Sequence, residues 1–304
     1  MDKIAFVFAG QGAQAPGMGR DLYENFTPAR EAFDRAEAIR PGTLKQCFEG
    51  PADELTRTIN AQPCLFVTDY ACALAAREVV GQPAFCAGFS LGEMAAAAFS
   101  GLLPFEEVFR LVMKRAELME SCAEKNPGAM FAVVKLPAEK VVELCRSLNQ
   151  AYPVNFNCPG QTVVACAQET AEALQAATRA DGGRAIRLNV SGAFHSPFMR
   201  EASEGMRAAL ANASFSRPQM PLYANLTARP YAAGEVADTL AKQICSPVRW
   251  QETVEHMVSE GANLFVEVGP GTTLAGLIQK IDPGVESVSV GNLEGLAALK
   301  GRFQ

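Results

Sequence analysis

The segment Gly88-Phe89-Ser90-Leu91-Gly92 follows the apolar run at 84–87 and precedes Glu93 and the alanine-rich stretch 94–99. Gly-x-Ser-x-Gly between a strand and a helix reads as a nucleophile elbow. Its glycines let strand and helix approach closely around a serine whose strained backbone points Oγ out of the turn. The helix that begins beside the serine adds its positive dipole end and unpaired N–H groups, which suit an oxyanion. An ordinary strand–helix turn is the other reading of the same residues.

The chain before the elbow supplies a second loop of the same kind. Residues 3–8 are nearly all apolar and read as a buried central strand, followed by Ala9-Gly10-Gln11-Gly12-Ala13-Gln14-Ala15. This matches Gly-x-Gly-x-x-Ala, yet Pro16, Gly17 and Gly19 follow where a dinucleotide loop needs a running helix. Asp34 has the offset of a ribose-binding acid but lies in a helical pattern. The loop is therefore read as glycine-rich backbone at the carboxyl end of a strand, with the main-chain N–H of Gln11 as a candidate oxyanion donor.

Helical patterns follow over 28–39, 51–58 and 63–80, and another opens at Pro104 with an i, i+3, i+4 stripe through Phe105, Val108, Leu111, Val112, Ala116 and Met119. Lys114, read as solvated, and Arg115 interrupt it. From 128 the texture changes: strand 130–135, helix 137–148, strands 153–157 and 161–167, helix 169–181 and strand 184–190. This β-α-β-β-α-β order is the ferredoxin-like unit, with Cys158-Pro159-Gly160 turning its middle hairpin. Beyond it come His195, a helix over 197–213, a strand at 222–224, and helices near 233–244 and 247–260. Strand 264–268, helix 272–281, strand 286–290 and a short helix close the chain.

Strands alternating with helices on both sides of the insertion predict an α/β fold: a mainly parallel sheet in a core made of 1–127 and 191–304, with 128–190 as a ferredoxin-like subdomain. The cleft between the two is the expected site.

Composition narrows the function. Among 304 residues, 49% are hydrophobic and 20% charged, which suits a globular chain with a sizeable core. A net charge of −6 argues against nucleic acid as the main partner. No apolar run reaches the roughly 18 residues of a membrane span, and Met1-Asp2-Lys3 leads straight into a strand, so neither membrane association nor a signal peptide is expected and the cytoplasm is the default. The nine cysteines include no Cys-x-x-Cys pair and read as small buried hydrophobes, with no metal site expected.

A serine nucleophile needs a base, and the sequence has two histidines. His256 falls off the apolar stripe Trp250, Val254, Met257, Val258 and reads as a surface residue. His195 lies in a loop after a strand, where catalytic residues are displayed. Between Ser90 and His195 no acid is clearly placed at a strand end. Glu93 lies in the first turn after the serine, where the dipole favours it. A Ser–His pair oriented by a backbone carbonyl suffices for transfer between good acyl donors.

Taken together, Phe8–Gln14, the elbow with Glu93, Arg115, Asn155-Phe156-Asn157-Cys158-Pro159-Gly160-Gln161, Ala193-Phe194-His195-Ser196-Pro197, Pro247-Val248-Arg249-Trp250 and Glu267-Val268-Gly269-Pro270-Gly271 resemble the malonyl-CoA:acyl carrier protein transacylase family over essentially the whole chain. The resemblance implies an α/β-hydrolase-like core with a ferredoxin-like subdomain. It also implies malonyl transfer from malonyl-CoA to the phosphopantetheine thiol of acyl carrier protein through a malonyl-serine, in fatty acid biosynthesis, with no cofactor beyond the substrate. By position, Ser90 would be the nucleophile, His195 the base, and Gln11 and Leu91 the oxyanion donors. Arg115 would bind the malonyl carboxylate, Asn157 would touch substrate or carrier, and the carbonyl near Val248–Arg249 would orient the imidazole. Phe194 beside His195 is bulky and expected to exclude an α-methyl branch. Phe89 stands where the family usually has histidine and is expected to line the pocket. An acidic carrier needs a positive patch, for which Arg187, Arg200, Arg249 and Lys280 are candidates, and the composition permits a monomer. A trans-acting polyketide acyltransferase, a serine hydrolase passing the acyl group to water, and a catalytically silent scaffold remain as alternatives.

Overall fold

The computed structural model describes residues 2–303. Its strands are β1 (Ile4–Phe8), β2 (Phe85–Gly88), β3 (Gly128–Val134), β4 (Ala151–Cys158), β5 (Gln161–Ala167), β6 (Arg184–Arg187), β7 (Leu222–Tyr223), β8 (Leu264–Val268) and β9 (Glu286–Val290). The larger sheet runs β7-β2-β1-β8-β9 with every neighbouring pair parallel. The central strands β1 and β8 are buried along their length, as parallel strands covered on both faces must be.

Strand alternation divides the core. Ile4, Phe6 and Phe8 of β1 face helices Thr58–Val80 and Leu91–Phe99, in one cluster with Leu65, Phe66 and Ala95. Ala5 and Val7 point the other way, into a cluster with Trp250, Val254, Leu274 and Ile278 of helices Trp250–Ser259 and Thr273–Ile281.

The smaller sheet, β4-β5-β3-β6, is antiparallel. Its order and the helices Ala138–Ser147 and Ala171–Ala180 make the ferredoxin-like arrangement expected for this segment. Phe131, Val133, Val164 and Cys166 pack under those helices, whereas Met130, Ala132, Val163 and Ala165 on the opposite face join the main core. The carboxyl ends of β1, β2 and β8 face that second side.

Three local expectations shift. The helix predicted over 63–80 begins at Thr58 and carries Pro63 inside. It is buried almost all round from Thr58 to Ala76, so packing holds a turn that proline alone would not start. Short helices at Arg20–Asn25 and Thr43–Glu49 were not foreseen; neither is long enough to show a periodic stripe. The strand predicted over 184–190 ends at Arg187, after which the Leu188 N–H still bonds the Met130 carbonyl at 2.9 Å.

Candidate active site

Ser90 stands between β2 and the helix Leu91–Phe99 with φ 53° and ψ −100°, a conformation L-residues avoid. The elbow glycines make it possible. A Cβ on Gly88 would lie 1.9 Å from the Gly92 carbonyl carbon, and one on Gly92 would lie 2.2 Å from the Phe8 carbonyl oxygen. On the other loop, a Cβ on Gly10 would meet the Phe89 carbonyl oxygen at 2.7 Å. The Phe89 N–H donates to the Phe8 carbonyl at 3.0 Å. The two loops thus touch main chain to main chain.

His195 faces the serine: Nε2 is 2.7 Å from Ser90 Oγ. Its Nδ1 lies 2.9 Å from the Gln243 carbonyl oxygen, which can only accept, so Nδ1 carries the proton and Nε2 is left with the lone pair turned to the hydroxyl. Burial, and then the nearby Arg115 cation, push the imidazole down to about 4. At neutral pH it is an unprotonated base.

Arg115 projects from helix Phe105–Lys125 into the core and is 1% exposed. Nη1 donates to Gln62 Oε1 at 2.8 Å, and Nη2 donates to Ser90 Oγ at 3.1 Å and to Gln243 Oε1 at 3.0 Å. All of these partners are uncharged. Burial lowers the guanidinium to about 10, opposed by the charge of Glu93, so it remains a cation.

Ser90 and His195 open into a cavity of about 290 Å³ between the strand ends of the larger sheet and the inner face of the smaller one, walled by Met119, Met130, Val163, Leu188, Phe194 and Leu277 among others. Gln11 also borders it. Among the described residues, the amides of Gln11 and Leu91 donate to no protein acceptor; Leu91 opens its helix, where none lies one turn back.

The chain as a whole has counterparts among known proteins. Residues 5–296 match the acyl transferase domain family. The malonyl CoA-acyl carrier protein transacylase of Bacillus subtilis is 36% identical over 97% of this chain and 95% of its own length. The structure of the malonyl CoA-acyl carrier protein transacylase of Clostridium perfringens superposes with a TM-score of 0.95 at 30% identity, over 99% and 97% of the two chains. This chain belongs to the malonyl CoA-acyl carrier protein transacylase family. It is an acyltransferase. A further solved relative, a malonyl-transacylase in complex with a type II PKS acyl-carrier protein, superposes with a TM-score of 0.94 at 32% identity, over 99% of each chain.

One expected role in this acyltransferase is overturned. The imidazole is held by the carbonyl of Gln243, not by that of Val248 or Arg249. Val248 is committed elsewhere: its carbonyl accepts from the Phe156 N–H at 2.9 Å and its N–H donates to the Val154 carbonyl at 2.8 Å, joining β4 to the core. The Arg249 carbonyl accepts from the Thr253 N–H at 3.0 Å and from Thr253 Oγ1 at 2.8 Å at the start of helix Trp250–Ser259.

The remaining sequence candidates fall into place around the cavity or away from it. Phe194, Asn155 and Asn157 line it, and the side-chain carbonyl oxygens of both asparagines are buried without a partner. Phe89 lines it too, edge-on to Trp250 with ring centroids 5.5 Å apart. His256 is half-buried rather than on the surface, its Nδ1 2.7 Å from the Ala228 carbonyl, because the loop after β7 folds over its helix. Among the candidate carrier-facing cations, Arg249 is already paired with Glu252.

Sequence reasoning missed the residues that hold the elbow. Asn225 accepts from the Ser90 N–H and donates to the Gly88 carbonyl, both at 2.7 Å. Gln243 Nε2 donates to the Ser90 carbonyl at 2.7 Å and to Glu93 Oε2 at 2.9 Å. Tyr231 Oη donates to Glu93 Oε1, and the Asn225 N–H to Oε2 at 3.2 Å. Only the position of Glu93, in the first turn after the serine, hinted at this in the sequence.

No helix among the described residues is long and apolar enough to cross a membrane.

Proposed function

We propose that this chain moves a malonyl group from malonyl-CoA to the phosphopantetheine thiol of an acyl carrier protein. The observation that carries this reading is Arg115: a buried cation resting on the nucleophile, with uncharged partners only, beside a largely apolar cavity. Acetyl and longer acyl groups have no use for it. A malonyl group ends in a carboxylate, which a guanidinium can grip with two parallel hydrogen bonds.

In this reading Ser90 Oγ attacks the thioester carbonyl as His195 Nε2 takes its proton. The amides of Gln11 and Leu91 receive the oxyanion. The C–S bond breaks, and the imidazolium returns the proton to the departing coenzyme A sulfur. In the second half the carrier thiol gives its proton to His195 and attacks the malonyl-serine ester, and Ser90 leaves with that proton. The kinetics are ping-pong. No cofactor is required, since the acyl group arrives activated as a thioester. Every group invoked comes from a single chain, in keeping with a monomer acting in the cytoplasm.

Fatty acid biosynthesis supplies the carrier in our first reading; the relative solved with a type II PKS carrier favours a polyketide carrier as the second. Intact mass after mixing with malonyl-CoA or acetyl-CoA tests the chemistry. We expect a malonyl adduct that is absent in Ser90→Ala and is discharged by an acyl carrier protein. An adduct lost equally fast to water would make the chain a hydrolase, and no adduct at all would make it a scaffold.

A further inference from the structure

Behind the reacting atoms lies a carboxylate for which the mechanism above has no use. Glu93 is 0% exposed, and its carboxylate accepts three hydrogen bonds: from Tyr231 Oη at Oε1, and from Gln243 Nε2 and the Asn225 N–H at Oε2. An ionised carboxylate satisfies all three; a protonated one either turns its O–H toward an N–H donor or obliges the Tyr231 hydroxyl to turn round and accept.

The Gln243 side chain is held from both ends. Its oxygen accepts from Arg115 Nη2 at 3.0 Å, while its nitrogen donates to Glu93 at 2.9 Å and to the Ser90 carbonyl at 2.7 Å. A primary amide can be placed two ways round in nearly the same volume. Here the anion on one side and the cation on the other select one of them.

We infer that Glu93 is a positioning residue for acyl selectivity: by fixing the sense of the Gln243 amide it aims the Arg115 guanidinium at the place where a substrate carboxylate docks. This rests on the malonyl reading above. Replacing Glu93 by leucine removes the acceptor at Gln243 Nε2, whereas a glutamine could restore it by turning its own NH₂ to the Tyr231 hydroxyl, which can accept. If the Gln243 amide turns over in the leucine variant, it presents its NH₂ to the guanidinium, and Arg115 loses one of its two carbonyl anchors. His195 keeps its place, since its anchor is the Gln243 main-chain carbonyl, so attack on an uncharged acyl group suffers less.

Burial holds the Glu93 carboxyl up at about 7, even with donors from Tyr231, Gln243 and Asn225 and the charge of Arg115 working to lower it. The titratable or charged groups around it are Tyr231 and Arg115, with His195 beyond Ser90. Of these, Tyr231 stays a neutral donor, its phenol raised well above its ordinary value, and Arg115 stays a cation. His195 acts on every acyl donor alike, so it cancels in the ratio of malonyl to acetyl acylation. That ratio should rise with pH through about 7 as Glu93 ionises.

The experiment measures Ser90 acylation by malonyl-CoA and by acetyl-CoA, across this pH range, in the whole protein and in Glu93→Leu and Tyr231→Phe. Wild-type intact mass comes first: absence of a malonyl adduct sinks the malonyl reading itself. With the adduct present, we expect E93L to lose roughly ten- to hundredfold more in malonyl kcat/KM than in acetyl kcat/KM, and its ratio to become flat with pH. Y231F keeps the charge but removes a donor, so the midpoint of its ratio should move up. Equal losses for both acyl donors in E93L, or a wild-type ratio that is flat or falls with pH, overturn the inference. If E93L does not fold, an unmoved midpoint in Y231F overturns it alone.

Discussion

Arg115 Nη2 lies 3.1 Å from Ser90 Oγ, so the cation proposed to receive the substrate carboxylate rests on the proposed nucleophile before substrate arrives. Ser90 Oγ, His195 Nε2 and the Arg115 guanidinium meet at one point, so in the proposed reaction the guanidinium lets go of the hydroxyl as the malonyl carboxylate takes its place.

Arg115→Ala should lower kcat/KM for malonyl-CoA by roughly a hundredfold, the worth of a bidentate charged contact, and improve that for acetyl-CoA. Arg115→Lys should recover little, since an ammonium cannot offer two parallel donors. Acylation rates with the two thioesters measure this; equal losses for both would remove the carboxylate role.

The pH profile of acetylation should carry the signature of His195. An imidazole held down to about 4 remains a base far below the ordinary value, so the acid limb should lie near about 4 and activity should fall only as pH drops through it. Because Arg115 is one cause of the lowering, the limb should move toward higher pH in R115A. A wild-type limb near the ordinary histidine value would contradict the buried geometry.

Gly92→Ala should prevent folding or cost more than about 3 kcal/mol, because its Cβ would meet the Phe8 carbonyl oxygen at 2.2 Å with no flexible neighbour to give way. Gly276→Ala is the control. Nothing lies within 4 Å of a Cβ there, and the residue is exposed in helix Thr273–Ile281, so stability should rise by roughly 0.5–1 kcal/mol. Denaturant midpoints of the two variants decide.

Phe194→Ala should admit methylmalonyl-CoA. The ring is buried in the cavity wall next to His195, where an α-methyl branch needs room. Acylation by methylmalonyl-CoA that does not increase in the variant would place the steric limit elsewhere.

What could be read from the sequence divides along physical lines. The elbow announced itself because strand, glycine, serine, glycine and helix are contiguous, and the sheet followed from apolar runs spaced by helical stripes. Arg115 was visible as a charge interrupting an apolar stripe. Gln243, Asn225 and Tyr231 were not, since each is an unremarked polar residue far along the chain from Ser90 and acquires its partner only when the fold closes. Val248 and Arg249 misled for the complementary reason. Their carbonyls lie in the right part of the chain, but a β-bridge and a helix start had already taken them. Pro63 shows that burial can carry a helix through a residue that local preference would place at its start.

The contact of Gly92 with the Phe8 carbonyl, and of Gly10 with that of Phe89, has a bearing on how such an enzyme can change. The spacing between the amides of Gln11 and Leu91 depends on backbone meeting backbone, with the Phe89 ring packed against Gly10 beside that contact. Substitutions in the walls away from that contact, at Phe194 or Met119, can reshape which acyl group enters without disturbing the donors that would stabilise its reaction. Substrate preference and catalytic power are thereby free to evolve on separate residues.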